Sequence, residues 1–218
     1  MFAHSATASA PASVGNVGVG FDILGHAFDA VRDTVSATRD AKAGVHLGQV
    51  TGLVDSLPEE PDANTALAAA RAVLKAVGSP FGMRLSIDKR VPLSAGMGGS
   101  AASAVAAAAA ANALLGDPFT LEELLPFALE GERVASDPPH WDNVMASLLG
   151  GLVLAASEKP ALVQRLPVPR GIVAVVLHPA VKVETRSARQ ILAAEVPMQL
   201  AIEHSRRVAA FVAGCATG

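Results

Sequence analysis

The chain has 218 residues, 51% of them apolar, which is enough for one sizeable core and at most two modest domains. Its 17 basic and 20 acidic residues leave a net charge of −3, which excludes a general electrostatic attraction to nucleic acid or to an anionic membrane. The single cysteine, Cys215, excludes an internal disulfide and a cysteine zinc cluster; it fits a reducing cytoplasm, with a buried structural thiol as its default role.

The opening MFAHSATASAPAS has Ala-x-Ala steps but neither a basic start nor an unbroken apolar stretch, so it does not read as a signal peptide. Residues 2–14 alternate as a strand does and run into the glycine-rich stretch SVGNVGVGFDILG, residues 13–25, which predicts a shaped loop. Strands are predicted over 33–39 and 45–50, followed by an alanine-rich helix over 64–77 with Asp62 as a candidate cap and Gly78-Ser79-Pro80 as its stop. Residues 83–88 alternate Met, Leu and Ile with Arg, Ser and Asp, the period of a half-buried strand, and lead into a loop at Pro92.

Residues 91–116 carry no charge, but Pro92, Gly96, Gly98 and Gly99 interrupt them. The remainder, 100–115, falls short of the roughly 18 to 20 apolar residues a spanning helix needs, so a soluble, cytoplasmic protein is expected. It predicts instead a buried helix, because alanine on every face lets neighbouring backbone come close. A helix over 120–135 opens with a capping box, Thr120 and Glu123, and ends at Ser136-Asp137-Pro138-Pro139. Residues 143–149 form a further helical segment closed by Gly150-Gly151, and 152–156 a strand. The best domain boundary is residues 167–171; beyond it 172–177 reads as a buried strand, and 185–195 and 198–213 as helices. The pattern is α+β, in two domains, 1–168 and 169–218.

The most informative segment is PLSAGMGGSAAS, residues 92–103, between a predicted strand and a long helix. Its glycines expose backbone N–H groups and the helix N-terminus adds positive dipole, a combination that cradles polyphosphate. The bland alternative is a tight turn whose glycines only permit close packing. No Lys-Ser or Lys-Thr pair ends the loop, so it is not a Walker A loop, and it does not follow the first strand as a dinucleotide fingerprint does.

The run resembles the signature of the GHMP small-molecule kinase family, Pro-x-x-x-Gly-Leu-Gly-Ser-Ser-Ala, carried here by Pro92, Gly96, Met97, Gly98, Gly99, Ser100 and Ala101. Met97 replaces its Leu, and Gly99 removes one hydroxyl while Ser100 keeps the other. Three more segments resemble the homoserine kinases within that family: APASVGNVGVGFDILG at 10–25, the His-x-Asp-Asn element at 140–143, and TRSARQIL at 185–192 with its Thr-x-x-x-Arg pattern. The resemblance implies a GHMP kinase fold, with an N-terminal ribosomal-S5-like α/β domain and an incomplete ferredoxin-like C-terminal domain. Such kinases normally continue well past residue 218 with a third glycine-rich motif.

The resemblance further implies ATP and Mg2+ as cofactors and homoserine as the small-molecule partner. ATP would lie on Pro92, Ser94, Ala95, Gly96, Met97, Gly98, Gly99, Ser100, Ala101 and Ala102, with Asn64 near the nucleotide unless it is an ordinary helix-start asparagine. Magnesium needs hard oxygen ligands, here Ser100 and Glu132; Glu130, two residues earlier, cannot share the helical face of Glu132. Asn16 and Asp22 would hold the substrate ammonium, although either residue type also favours a loop turn. Arg189 would grip the carboxylate bidentately, with His140, Asp142 and Thr185 completing the pocket and Trp141 either walling it or belonging to the core. Asn143 would orient the hydroxyl without acting as a base, since an amide cannot take its proton.

Two other readings stay open, another GHMP kinase of the mevalonate or sugar type and an inactive nucleotide-binding fragment. A short second domain would leave Phe211 and Val212 exposed and favour a homodimer.

Overall fold

Every strand that frames the glycine-rich loops pairs directly or through one neighbour with a single long strand. The computed structural model describes residues 3–159, 161–168, 170–177 and 185–217, with the side chains of 185–187 outside that description. The long strand is β2 (Leu24–Asp40), and β1 (Ser5–Val14) lies antiparallel along one edge of it, from Ser5 opposite Thr38 to Val14 opposite His26. The other edge is shared: β4 (Gly82–Lys89) pairs with residues 34–40 and β5 (Leu152–Glu158) with residues 24–26. β3 (Val45–Gly52) runs parallel to β4, and β6 (Ala161–Leu166) antiparallel to β5. The sheet order is β3-β4-β2-β5-β6, with β1 on β2.

A parallel pair needs a crossover, and α1 (Thr65–Ala76) supplies it between β3 and β4. Its cap is Asn64 rather than Asp62. Asn64 Oδ1 accepts from the N–H groups of Ala66 (3.0 Å) and Leu67 (3.2 Å), while its Nδ2 donates to Pro58 O at 2.8 Å. Asp62 sits in the 3-10 turn Pro61–Ala63, two residues before the cap, and pairs with Arg71 at 2.6 Å. Asn64→Ala should therefore lower stability by about 1 to 2 kcal/mol, read as a reduced denaturation midpoint at unchanged m.

The central helix α2 (Gly99–Leu114) is buried over most of its length, with Ala101, Ala104, Ala107, Ala108 and Ala111 all fully inaccessible. It packs on β1 and β2 and against α1, α3 and α4. The capping box forms, with Thr120 N donating to Glu123 Oε2 (2.8 Å) and Glu123 N to Thr120 Oγ1 (3.4 Å). That backbone bond holds the Glu123 carboxyl below its usual range. The helix over 120–135 is nevertheless split. A 3-10 turn, Glu122–Leu124, leads into α3 (Leu125–Glu132), whose Pro126 has no N–H to offer an earlier turn. α3 ends at Glu132. α4 (Trp141–Leu149) starts two residues before the predicted 143 and is closed by Gly150; Trp141 packs against the main core.

The C-terminal stretch departs furthest from expectation. Residues 172–177 are not a buried strand: no described strand pairs with them, and Ile172, Val173, Val175 and Leu177 are 63 to 86% exposed. Two helices follow, α5 (Thr185–Gln190), shorter than predicted, and α6 (Met198–Thr217), longer. Phe211 and Val212 are half-buried rather than exposed; the open apolar side chains of α6 are Met198, Leu200 and Ile202. Cys215 is half-buried rather than buried. Among the described residues no helix is long and apolar enough to cross a membrane.

Candidate active site

The two glycine-rich loops meet at the N-termini of α2 and α4. Residues 92–98 leave β4 and enter α2 through Gly98, whose left-handed φ of 63° turns the chain into the helix. Ser94 and Gly96 also have positive φ. The N–H groups of Gly99, Ser100 and Ala101 lie in the first turn, where no intrahelical acceptor exists, and face the dipole's positive end. Two loop residues offer no free backbone N–H. Ala102 is fully buried and its N–H already donates to Gly98 O at 2.9 Å, leaving nothing for a phosphate. Pro92 has no N–H. Met97 keeps the apolar role of the leucine it replaces, packing with Ala12, Val91 and Ala102, while its carbonyl accepts from Ser13 N at 3.1 Å.

Ser100 and Glu132, paired in the sequence reading as metal ligands, are in contact, Ser100 Oγ donating to Glu132 Oε1 at 3.0 Å. At the neighbouring Gly131 a Cβ would stand 2.5 Å from Thr65 O and 2.8 Å from Ala69 Cβ, so only glycine lets α3 press this closely against α1. Glu132 is 1% exposed, and among the described residues its Oε2 has no hydrogen-bond partner. A buried, unpartnered carboxylate oxygen beside a serine hydroxyl and a helix N-terminus fits a magnesium ion that takes its remaining ligands from phosphates and water. Among the described residues no group of three or more His, Cys, Asp or Glu side chains could hold a metal. Glu130 is exposed and pairs with Arg133 at 3.5 Å.

His140 stands on the same carboxylate. Its Nδ1 lies 3.1 Å from Glu132 Oε1 and its Nε2 3.3 Å from Ser136 Oγ, so both ring nitrogens already have protein partners. The hydrogen bond to Glu132 raises its pKa against the effect of burial.

Asp142 is held mainly by backbone. At 1% exposure its Oδ2 accepts from Asn16 N (2.9 Å) and its Oδ1 from Asn143 N (2.8 Å), so it ties the first glycine loop to the start of α4. Burial pushes its carboxyl pKa up, against those two backbone bonds. Asn143 beside it is half-buried, and its amide is held at both ends: Oδ1 accepts from Ser13 Oγ (3.1 Å) and Nδ2 donates to Asp142 Oδ1 (3.3 Å). Ser13, given no site role from the sequence, thus fixes which way that amide faces.

Asn16 and Asp22 both have left-handed φ, 56° and 60°, and Asn16 Oδ1 accepts from Asp22 N at 2.9 Å, so the turn role is real. The Asp22 carboxylate is also engaged by Arg189 from α5, whose Nη1 and Nη2 donate to its two oxygens at 2.9 and 2.5 Å. This bidentate pair raises the Arg189 pKa, and the guanidinium lies 5.6 Å from the Phe21 ring centre. Thr185 begins α5, but its side chain lies outside the described residues. Asn64 has its Oδ1 engaged in capping α1 and its Nδ2 on Pro58 O, and is 5% exposed. From Arg189 a chain of hydrogen bonds runs through Asp22, Asn16, Asp142, Asn143 and Ser13 to the carbonyl of Met97, so the ion pair and the glycine loop are physically connected.

Residues 64–151 match the family of GHMP kinases N terminal domains. The chain is 45% identical over 213 residues to a homoserine kinase of Xylella fastidiosa, covering 98% of this chain and 65% of that relative. It is 40% identical over 218 residues to a homoserine kinase of Chloroherpeton thalassium, covering 95% of this chain and 68% of the relative. A solved homoserine kinase from Cytophaga hutchinsonii superposes with a TM-score of 0.88 at 38% identity, covering 98% of this chain and 68% of that one. The chain thus spans about 65% of the length of the Xylella relative.

Proposed function

Since this chain belongs to the homoserine kinase family of GHMP kinases, we propose that it transfers the γ-phosphate of ATP to the side-chain hydroxyl of homoserine, a cytoplasmic step toward threonine. The observation that carries this reading is the Asp22–Arg189 pair, joined by a chain of hydrogen bonds to the glycine loop. A free α-amino acid brings an ammonium and a carboxylate together, and this pair offers the complement of each; mevalonate and sugars have no ammonium to place on Asp22.

The residues divide the work as follows. The first-turn N–H groups of α2 receive the phosphates. Ser100 Oγ and Glu132 Oε2 would hold Mg2+, which would supply charge neutralisation on the β- and γ-phosphates. Asn143, oriented by Ser13 and Asp142, aligns the homoserine oxygen with the γ-phosphorus. The new O–P bond forms as the bond to the bridging oxygen breaks, ADP leaves with that electron pair, and the hydroxyl proton passes late to the transferred phosphoryl group. No strong base is needed, because the transition state is loose and the nucleophile little deprotonated early. Asp142 is placed poorly for that task, with both oxygens turned to backbone N–H groups.

ADP release on a panel of homoserine, mevalonate and galactose tests the assignment: turnover with homoserine alone is expected, and phosphorylation of mevalonate but not homoserine would reject it. In the same assay Arg189→Leu should raise the homoserine KM roughly 10- to 150-fold, the value of one charge-assisted contact, and leave that for ATP nearly unchanged. Equal effects on both substrates would make Arg189 structural.

A further inference from the structure

Beneath the phosphate loop lies an ion pair that the reaction does not touch. Asp33 on β2 and Lys89 at the end of β4 are 0% and 1% exposed. They are the cross-strand partners one step beyond Thr34 and Asp88. The Lys89 ammonium donates to Asp33 Oδ2 and, at 2.8 Å, to Gly99 O. Ser103 Oγ donates to the same Oδ2 at 2.7 Å. Asp33 Oδ1 accepts from the N–H groups of Arg90 (2.9 Å) and Val91 (2.8 Å), the two residues that leave β4 before Pro92.

We infer that Asp33 and Lys89 act as one buried clamp that sets both ends of the phosphate loop, and are positioning residues for ATP; this rests on the nucleotide reading of residues 92–101 proposed above. The loop enters through Arg90 and Val91 and leaves through Gly99 and Ser103, and all four are bonded to the same ion pair. Stability alone does not explain it. Burying two charges is costly, and apolar side chains of the same volume generally serve a core as well or better. The neighbours on the same strand faces, Val35, Ala37, Leu85 and Ile87, are such side chains. Burial drives the Lys89 pKa down, with Asp33 and Glu132 opposing it. What an ion pair adds is direction: it fixes two N–H groups that have left the ladder, one carbonyl and one hydroxyl, so that the cradle is in place before nucleotide arrives. The clamp also accounts for Gly99, where the family signature has serine. A Cβ there would stand 3.0 Å from Pro92 O and 3.2 Å from the Lys89 ammonium, which occupies the space beneath the helix start.

The test uses the full chain with the double substitution Lys89→Met and Asp33→Asn, which removes both charges together and keeps an acceptor for Arg90 and Val91. The expected result is a folded protein whose ATP affinity by calorimetry falls roughly 10- to 100-fold, as a misplaced cradle would give. Amide exchange at residues 96–101 should quicken, and the homoserine KM should stay within about twofold of wild type. ATP affinity within about twofold of wild type in the folded double variant overturns the clamp, as does an equal loss for both substrates. If the double variant does not fold, Ser103→Ala removes one strut: about a threefold weaker ATP affinity with faster exchange in the first turn of α2 supports the clamp, and no change in either overturns it. A wild-type chain that binds no ATP overturns the nucleotide reading, and the clamp with it.

Discussion

Gly98→Val is expected to reduce ATP affinity by about 100-fold or more while leaving the far-ultraviolet dichroism of the fold in place. Two costs coincide at this position. The backbone is left-handed, φ 63° and ψ 35°, where a β-branched residue is strained by about 1 to 3 kcal/mol. The added Cβ would also stand 2.2 Å from Ser13 Oγ and 2.9 Å from Asn143 Oδ1. Ser13 is fully buried at the end of β1 and cannot retreat, so the loop has to move, carrying the first-turn N–H groups away from the phosphates. Calorimetry with ATP measures the loss, and affinity within threefold of wild type would remove residues 92–101 from the nucleotide site. The milder Gly98→Ala should couple to Ser13→Ala, which deletes the clashing hydroxyl: the pair should bind ATP better than Gly98→Ala alone, a non-additivity that only touching residues show.

The same contact explains how much was legible beforehand. Glycine spacing and the uncharged helix after it were enough to place the turn into α2, because both are local: positive φ and a helix N-terminus follow from neighbouring residues. What holds the loop was harder to see. Ser13 and Asn143 are far apart in sequence and meet only when β1 and α4 close on each other. Asp142 and Asn143, adjacent in the chain, take different parts because one side chain is buried under the first glycine loop and the other is not.

The Asp33–Lys89 pair did leave a trace in the pattern. Asp33 falls in the alternation that buries Val35 and Ala37, and Lys89 in the one that buries Leu85 and Ile87. Two opposite charges, each at an inward position of a strand, were readable as partners once the strands were paired. The hairpin β5–β6 left less, since the burial of Ala161–Leu166 does not alternate. The run 172–177 misled for the converse reason: apolar composition signals a strand only where another strand completes its ladder, and none of the described strands does.

Glu132→Gln should lower kcat by roughly 100-fold or more and move the Mg2+ dependence of the reaction to higher concentration, because a divalent ion contributes several kcal/mol of charge stabilisation in phosphoryl transfer. The substitution is close to isosteric. Its remaining oxygen can still accept from Ser100 Oγ, which now bonds Glu132 Oε1 at 3.0 Å, so packing between α2 and α3 is retained. What disappears is the negative charge and the unpartnered Oε2, the one oxygen at this buried position with no other bond among the described residues. An amide –NH2 cannot ligate a cation. The two effects separate in binding: ATP affinity measured in EDTA should be nearly the same in wild type and variant, since the N–H cradle is intact, whereas the gain in affinity on adding Mg2+ should be lost. Glu130→Gln, on the exposed flank of the same helix beside Arg133, serves as the control and should titrate with Mg2+ as wild type does. A Glu132→Gln chain with wild-type kcat and an unshifted Mg2+ midpoint would leave Glu132 a packing residue and move the metal elsewhere.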